Sequence, residues 1–376
     1  MTTPTPSPAQ NIARPGHRLS NLNIGALLVE GRAFFALLIV IVVFSILSPN
    51  YFTVDNLLTM SSHVAIYALL ALGMLLVILN GGIDLSVGST LGLSGVAAGW
   101  LMQGIKLNSL GVTLFPAVWV VAILACLVGA LVGLVNGVLV ARFKVAAFVA
   151  TLGTLYAVRG VGLLKTNGLT YNDLSGNSRL GNTGFNWLGF NKLLGVPIGV
   201  WAMIGIALGI SVILNRTVFG RWLYSSGGNE RAAELSGVPV RVVKVRVYVA
   251  SGVLAAIAGL ILSSELTSAG PTAGTSYELT AIAAVVVGGA ALTGGRGNVR
   301  GTLLGAFVIG FLGDGLVIIG VSSYWQTVFT GAVIVLAVLL NSVQYGRRKR
   351  SPRAPATPAT TTSAPPAPLG QDTSAR

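Results

Sequence analysis

The chain alternates long apolar runs with short polar breaks. No charged residue occurs between Asn56 and Ile83, or between Leu85 and Ile105. A helix that crosses a bilayer needs about 20 apolar residues. Cutting the runs at Gly, Pro and charge clusters predicts about ten spans on that criterion, near 33–48, 59–79, 87–103, 112–140, 145–164, 197–214, 247–264, 280–293, 302–320 and 326–344. A transmembrane barrel would instead show short alternating segments, and none are seen. The pattern predicts an all-α polytopic membrane protein. Domain by domain, it predicts a polar tail at 1–23, a transmembrane body at 24–345 and a basic, then Pro/Ala/Thr-rich, tail at 346–376. Neither tail has the apolar content to order itself.

Composition agrees with this pattern. The chain is 53% hydrophobic and only 9% charged, against roughly 25% charged in soluble domains. The net charge of +14 is carried unevenly. With the N-terminus inside, the predicted outer segments hold only Lys106, Lys165, Arg179 and Lys192, and Arg159 lies within the fifth span. Every other Lys and Arg falls on the inner side. This asymmetry predicts cytoplasmic N- and C-termini in the cell (inner) membrane. It also removes the nucleic-acid reading, because the cations are spread over several loops. The run Arg347 to Arg350 suits anionic lipid head groups. Trp100, Trp119, Trp187, Trp201 and Trp325 fall near the outer ends and Trp222 on the inner side, as interfacial anchors or as packing between helices.

Within the apolar body, the costly residues are the informative ones. Asp84 stands in Gly81-Gly82-Ile83-Asp84-Leu85-Ser86-Val87-Gly88-Ser89. An aspartate at a helix centre costs about 2.5–3.5 kcal/mol on insertion scales. Two readings offset that cost: Asp84 caps a broken helix, or it lines a wet path. Asp314, about 18 Å along the ninth span at helical rise, is a functional candidate or a paired group. Arg159 is expected to snorkel to the outer face. Glu265 and Glu278 fall by the outer mouth. His63 is expected to pack or to make one hydrogen bond rather than to bind metal. The single cysteine, Cys126, excludes a disulfide within the chain. No metal-ligand cluster, nucleophile elbow or Gly-x-x-x-x-Gly-Lys-Ser/Thr phosphate loop occurs. No catalytic residue, metal site or cofactor is therefore assigned to this chain.

Three further patterns bear on organisation. Shifting the chain by 213 residues places Gly81-Gly82 on Gly294-Gly295, Gly88 on Gly301, Ser89 on Thr302, Leu91 on Leu304 and Gly92 on Gly305, a local parallel repeat. Gly129, Gly133 and Gly137 bare one helix face for close packing. The longest inner loop, 215–246, predicts a short helix: Asn229 as N-cap, Glu230 in the first turn, then Arg231, Ala232, Ala233, Leu235 and Ser236, ending at Gly237. Such a helix either docks into a partner's groove or lies solvated at the membrane surface.

Four stretches carry a resemblance. GGIDLSVGS at 81–89, GGNERAAELSGV at 227–238, PTAGTSYELTAIAAVVVGGAALTGGRG at 271–297 and GVSSYWQ at 320–326 are similar to the motifs of sugar ABC-transporter permeases of the ribose, xylose and arabinose branch, with the ribose type nearest. The similarity runs in order over residues 33–345. It implies a subunit without ATPase activity that imports a monosaccharide by alternating access. The implied partners are a second permease subunit, a cytoplasmic ATPase with two cassettes that holds ATP-Mg, and an extracytoplasmic sugar-binding protein. It implies that Asn229 to Gly237 contact the ATPase. It places Asn80, Asp84, Ser86, Ser89, Tyr277 and Glu278 at the translocation path. Relatives tend to carry Arg in place of Glu265, Gln in place of Gly270 and an Asn pair in place of Gly313-Asp314, so no role transfers to those positions. From the residues alone, an ion-coupled secondary transporter using Asp84, Asp314 and Glu278 is the rival reading, and a passive channel is a second.

Overall fold

The computed structural model describes residues 31–107, 111–322, 324–333, 335, 336 and 339. Both predicted tails lie outside these residues. The helices are α1 (Arg32–Leu47), α2 (Val54–Leu79), α3 (Val87–Met102), α4 (Val118–Ala141), α5 (Ala147–Thr166), α6 (Trp187–Phe190), α7 (Ile198–Arg216), α8 (Val218–Gly228), α9 (Glu230–Leu235), α10 (Val240–Glu265), α11 (Tyr277–Val287) and α12 (Val299–Ile318). Residues 324–333 are also helical. Three two-stranded antiparallel pairings sit at one end: Ile105–Leu107 with Val112–Leu114, Tyr171–Asn172 with Ser268–Ala269, and Lys192–Leu193 with Val196–Pro197. The opposite end carries α8 and α9 and is rich in Lys and Arg; it is the basic end below.

Among the described residues six helices are long and apolar enough to cross a membrane, namely α2, α4, α5, α7, α10 and α12. The protein is thus an all-α polytopic membrane protein. α2 is the central post, with 89% of its apolar window buried, against 22% for α4 and 17% for α5. A helix apolar on every side belongs at the centre of a bundle, while the outer helices turn Leu, Val and Phe outward. α10 packs beside α2, with Gly73 of α2 set against the Ser251 backbone. α4 lies along α10 through the predicted small-residue face: Gly129 meets Gly252, Gly133 meets Tyr248 and Val249, and Gly137 meets Val245.

Several boundaries differ from the sequence expectation. The fourth span begins at Val118 rather than 112, because Val112–Leu114 pairs as a strand with Ile105–Leu107, and its apolar residues resemble the start of a helix. α10 begins at Val240, well before its apolar stretch, and carries Arg241, Lys244 and Arg246 on its first turns at the basic end. α11 stops at Val287, because Gly288 and Gly289 begin a glycine-rich loop. At 1.5 Å per residue α11 is about 16 Å long and α3 about 24 Å, short of the roughly 30 Å hydrocarbon core. Their flanking loops are non-helical backbone, which is tolerated at membrane depth only inside protein.

Those two loops meet. The Gly295 N–H donates to the Leu79 carbonyl at 2.9 Å. A 213-residue shift places Val87, the first residue of α3, on Arg300, the second of α12.

Candidate functional site

Asp84 sits in the loop from α2 to α3 and is 1% exposed. Its Oδ1 accepts the Ser86 N–H at 3.0 Å and the Ser86 hydroxyl at 2.7 Å, and its Oδ2 accepts the Ser251 hydroxyl at 3.1 Å. The Ser86 Oγ in turn accepts from Asn136 Nδ2 at 2.8 Å, and the Thr154 hydroxyl donates to Asn136 Oδ1 at 2.7 Å. Ser89 donates to the Ser86 carbonyl at 2.9 Å. One relay thus ties α5, α4, the loop and α10 together. A buried polar network holds its geometry only when each member is satisfied, and here Asp84 accepts three donors. Asn136, Thr154 and Ser251 were not anticipated from the sequence. The signal was present: Asn136 follows Gly133 by three residues, on the face that meets α10.

Asp84→Leu should therefore lower the thermal unfolding midpoint of the purified protein clearly, since each orphaned buried hydroxyl costs about 1–3 kcal/mol. Asp84→Asn, which still accepts, should shift it less. Equal midpoints for the two variants would remove the structural role.

At the basic end, α8 and α9 build a second constellation. Asn229 Oδ1 accepts the Ala232 N–H at 3.0 Å, which makes Asn229 the N-cap. Gly237, at φ +81°, closes the C-terminus, with the Val238 N–H on the Ala233 carbonyl at 3.0 Å. Glu230 Oε1 meets Lys244 Nζ at 2.7 Å, which fastens α9 to the start of α10. Arg231 and Glu234 approach to 3.8 Å in solvent, a contact worth little. Ala233 is 5% exposed and faces the body, while Leu235 is 77% exposed and faces away. Ala233 is thus a seat for α9, and Leu235 is its presented apolar side chain.

α8 is anchored above both glycine loops. Asn80, at the end of α2, donates from Nδ2 to the Ser226 hydroxyl at 2.9 Å. The Tyr224 hydroxyl donates to the Gly297 carbonyl at 2.8 Å, and burial raises its pKa. Gly227 lies so close under the Leu79 carbonyl that a Cβ there would overlap it.

Toward the hairpin end, the remaining candidates separate from Asp84. Tyr277 opens α11 and stacks edge-on against Tyr67 of α2, with ring centroids 4.9 Å apart. Glu278 lies against Gly88 of α3. Arg159 does not snorkel. Its Nη1 donates to the carbonyls of Pro271 at 2.6 Å and Ala273 at 2.7 Å. The turn before α11 offers it two acceptors, which supersede the outer interface. One turn outward from Tyr67 on α2, His63 Nδ1 lies 3.2 Å from Asp314 Oδ1 of α12. α12 begins at Val299, a few residues earlier than expected, which carries Asp314 to about 22 Å along it rather than about 18 Å. Ser62 donates to Glu265 at the end of α10. His63 is 48% exposed and Asp314 22%. Among the described residues no group of three or more His, Cys, Asp or Glu is placed to hold a metal ion.

Residues 56–338 match the family described as branched-chain amino acid transport system / permease component. The chain is 46% identical over 319 residues to the ribose import permease protein RbsC of Escherichia coli (strain K12), covering 84% of this chain and 95% of that protein. It is also 46% identical to RbsC of Bacillus subtilis (strain 168), over 82% of this chain and 91% of that one. It is 34% identical to the galactose/methyl galactoside import permease protein MglC of Salmonella typhimurium (strain LT2), over 86% and 96%. No solved structure matches. With a match that spans most of its length and a bundle of membrane-crossing helices to go with it, the chain belongs to the permease-component family of ABC importers, on its ribose-type branch.

Proposed function

We propose that the chain is the membrane-spanning subunit of an ATP-driven importer for a monosaccharide, a ribose-like pentose or a related sugar. In this reading about ten spans cross the membrane, both termini are cytoplasmic, and the two glycine-loop units form a parallel repeat. A separate ATPase with two cassettes hydrolyses ATP-Mg, a second permease subunit completes the path, and an extracytoplasmic binding protein delivers the sugar. The observation that carries the reading is α9: a capped helix that presents Leu235 outward while its loop is bonded to both glycine loops. A docking knob wired into the bundle suits a transporter driven from outside.

The path is reassigned in part. Asp84, Ser86 and Ser89 hold the bundle together, and Asn80 links it to α8. The polar face at Tyr277, Tyr67, His63 and Asp314, with Glu278 nearby, is better suited to sugar. A half-exposed His–Asp pair on a span flank is expensive against lipid, so this face meets water or the second subunit. Its hydroxyls, ring faces and carboxylate match a polyol, and several weak contacts favour passage.

The same pair favours a second reading, an ion-coupled transporter. Reconstitution separates the two. The chain, joined with its ATPase and binding protein in vesicles, should take up labelled ribose or a related monosaccharide only with ATP inside the compartment that holds the ATPase. Uptake by the chain alone on a proton or sodium gradient would establish the rival. In the complete system Asp314→Asn should cut uptake by about tenfold or more, the worth of a charge-assisted hydrogen bond, while the ATPase still co-purifies.

A further inference from the structure

Between α9, the start of α10, the turn from α4 to α5 and the Gly81-Gly82 loop lies a pocket of about 510 Å³. That volume falls within the usual range for small-molecule sites. Four cations line it against two carboxylates. Glu230 is engaged by Lys244, and Glu234 by Arg231. Lys144 and Arg241 have no ion-pair partner among the described residues. The floor is Tyr248, 1% exposed, whose hydroxyl is buried beside Gly82 without a hydrogen-bond partner among the described residues. A buried hydroxyl left unmatched costs about 1–3 kcal/mol. A ligand that reaches the floor offsets that cost.

We propose that this pocket binds a phosphate-bearing ligand, held by Lys144 and Arg241 and reached from below by the Tyr248 hydroxyl. A guanidinium beside an ammonium is suited to a phosphate, which Arg grips in a bidentate manner. The phosphate comes from one of two sources, a free phosphate ester or an anionic lipid head group. Either bridges α9 to the α4–α5 turn. Its consequence for import rests on the permease reading above; the binding itself does not.

The test uses the full-length chain in phosphatidylcholine nanodiscs, titrated with inorganic phosphate and with ribose 5-phosphate and followed by calorimetry and thermal unfolding. A second arm replaces free phosphate with phosphatidylglycerol in the disc and reads the unfolding midpoint. Saturable binding or stabilisation in either arm is expected, and the responding arm names the source. The Lys144→Ala/Arg241→Ala double variant, both positions exposed, should weaken it by about tenfold or more, as expected for bonds to charged groups. Tyr248→Phe should weaken it by about two- to tenfold. An Arg142→Ala/Arg246→Ala control, whose cations lie outside the pocket, should leave it unchanged. No response in either arm, or equal losses in the control and the double variant, overturns the site. Because no transport is read, failure here leaves the importer reading standing, and failure of ribose uptake leaves this site standing.

Discussion

Leu235→Ser should abolish ATP-driven uptake and leave a folded protein behind. Leu235 is the large apolar side chain that α9 turns away from the body, at 77% exposure. Surface changes away from special features shift stability by only about 0.5 kcal/mol. An apolar anchor at the centre of a docking surface costs about 2 kcal/mol or more when truncated, roughly 30-fold in binding. The measurement is paired: size-exclusion profile and midpoint for the fold, ATPase co-purification and sugar uptake for the function. The expected result is an unchanged profile with the ATPase lost. Arg231→Ala, 81% exposed at its side chain and engaged among the described residues only with Glu234, should behave as wild type. Ala233→Trp should fail differently, by unseating α9 from the body. Normal uptake by the Leu235 variant would end the docking role.

Gly133→Leu should sharply lower both the yield and the unfolding midpoint of the protein in the membrane. A Cβ at Gly133 would overlap the Tyr248 carbonyl, and backbone cannot rotate aside as a side chain can. α4 and α10 must then separate. Overpacking costs about 1–3 kcal/mol. Separation also breaks the Asn136–Ser86–Asp84–Ser251 relay, at about 1–3 kcal/mol for each group orphaned. Together these reach roughly half of a typical folding free energy. The control is Gly153→Leu: Gly153 of α5 has no atom near its Cβ direction, so the same change there should leave yield and midpoint alone. If both variants were equally well folded, the close approach would not be the cause.

What was legible follows from period and cost. The charge-free runs located α5, α7 and α12 to within a few residues of both ends, and α2 and α4 at their C-terminal ends, because apolar length is a bulk property. Asn229 and Gly237 marked α9 because capping is local chemistry. The pairing of Ile105–Leu107 with Val112–Leu114 was hidden, since Val112-Thr113-Leu114 reads equally as strand or as the first turn of a span. The inward face of Ala233 was not legible either. A helix of six residues has no period long enough to show which side rests on the body. The His63–Asp314 pair joins residues 251 apart in sequence, and only the packing of α12 on α2 brings them together. Arg159 was misjudged for the same reason: its two carbonyl acceptors belong to a turn more than a hundred residues away.

The grip of α8 has a mechanical consequence. Ser226 holds the end of α2 through Asn80, and Tyr224 holds the loop before α12 through the Gly297 carbonyl. Both handles sit on one turn of a single short shaft. Torque applied at its tip would load both glycine loops through these two bonds at once.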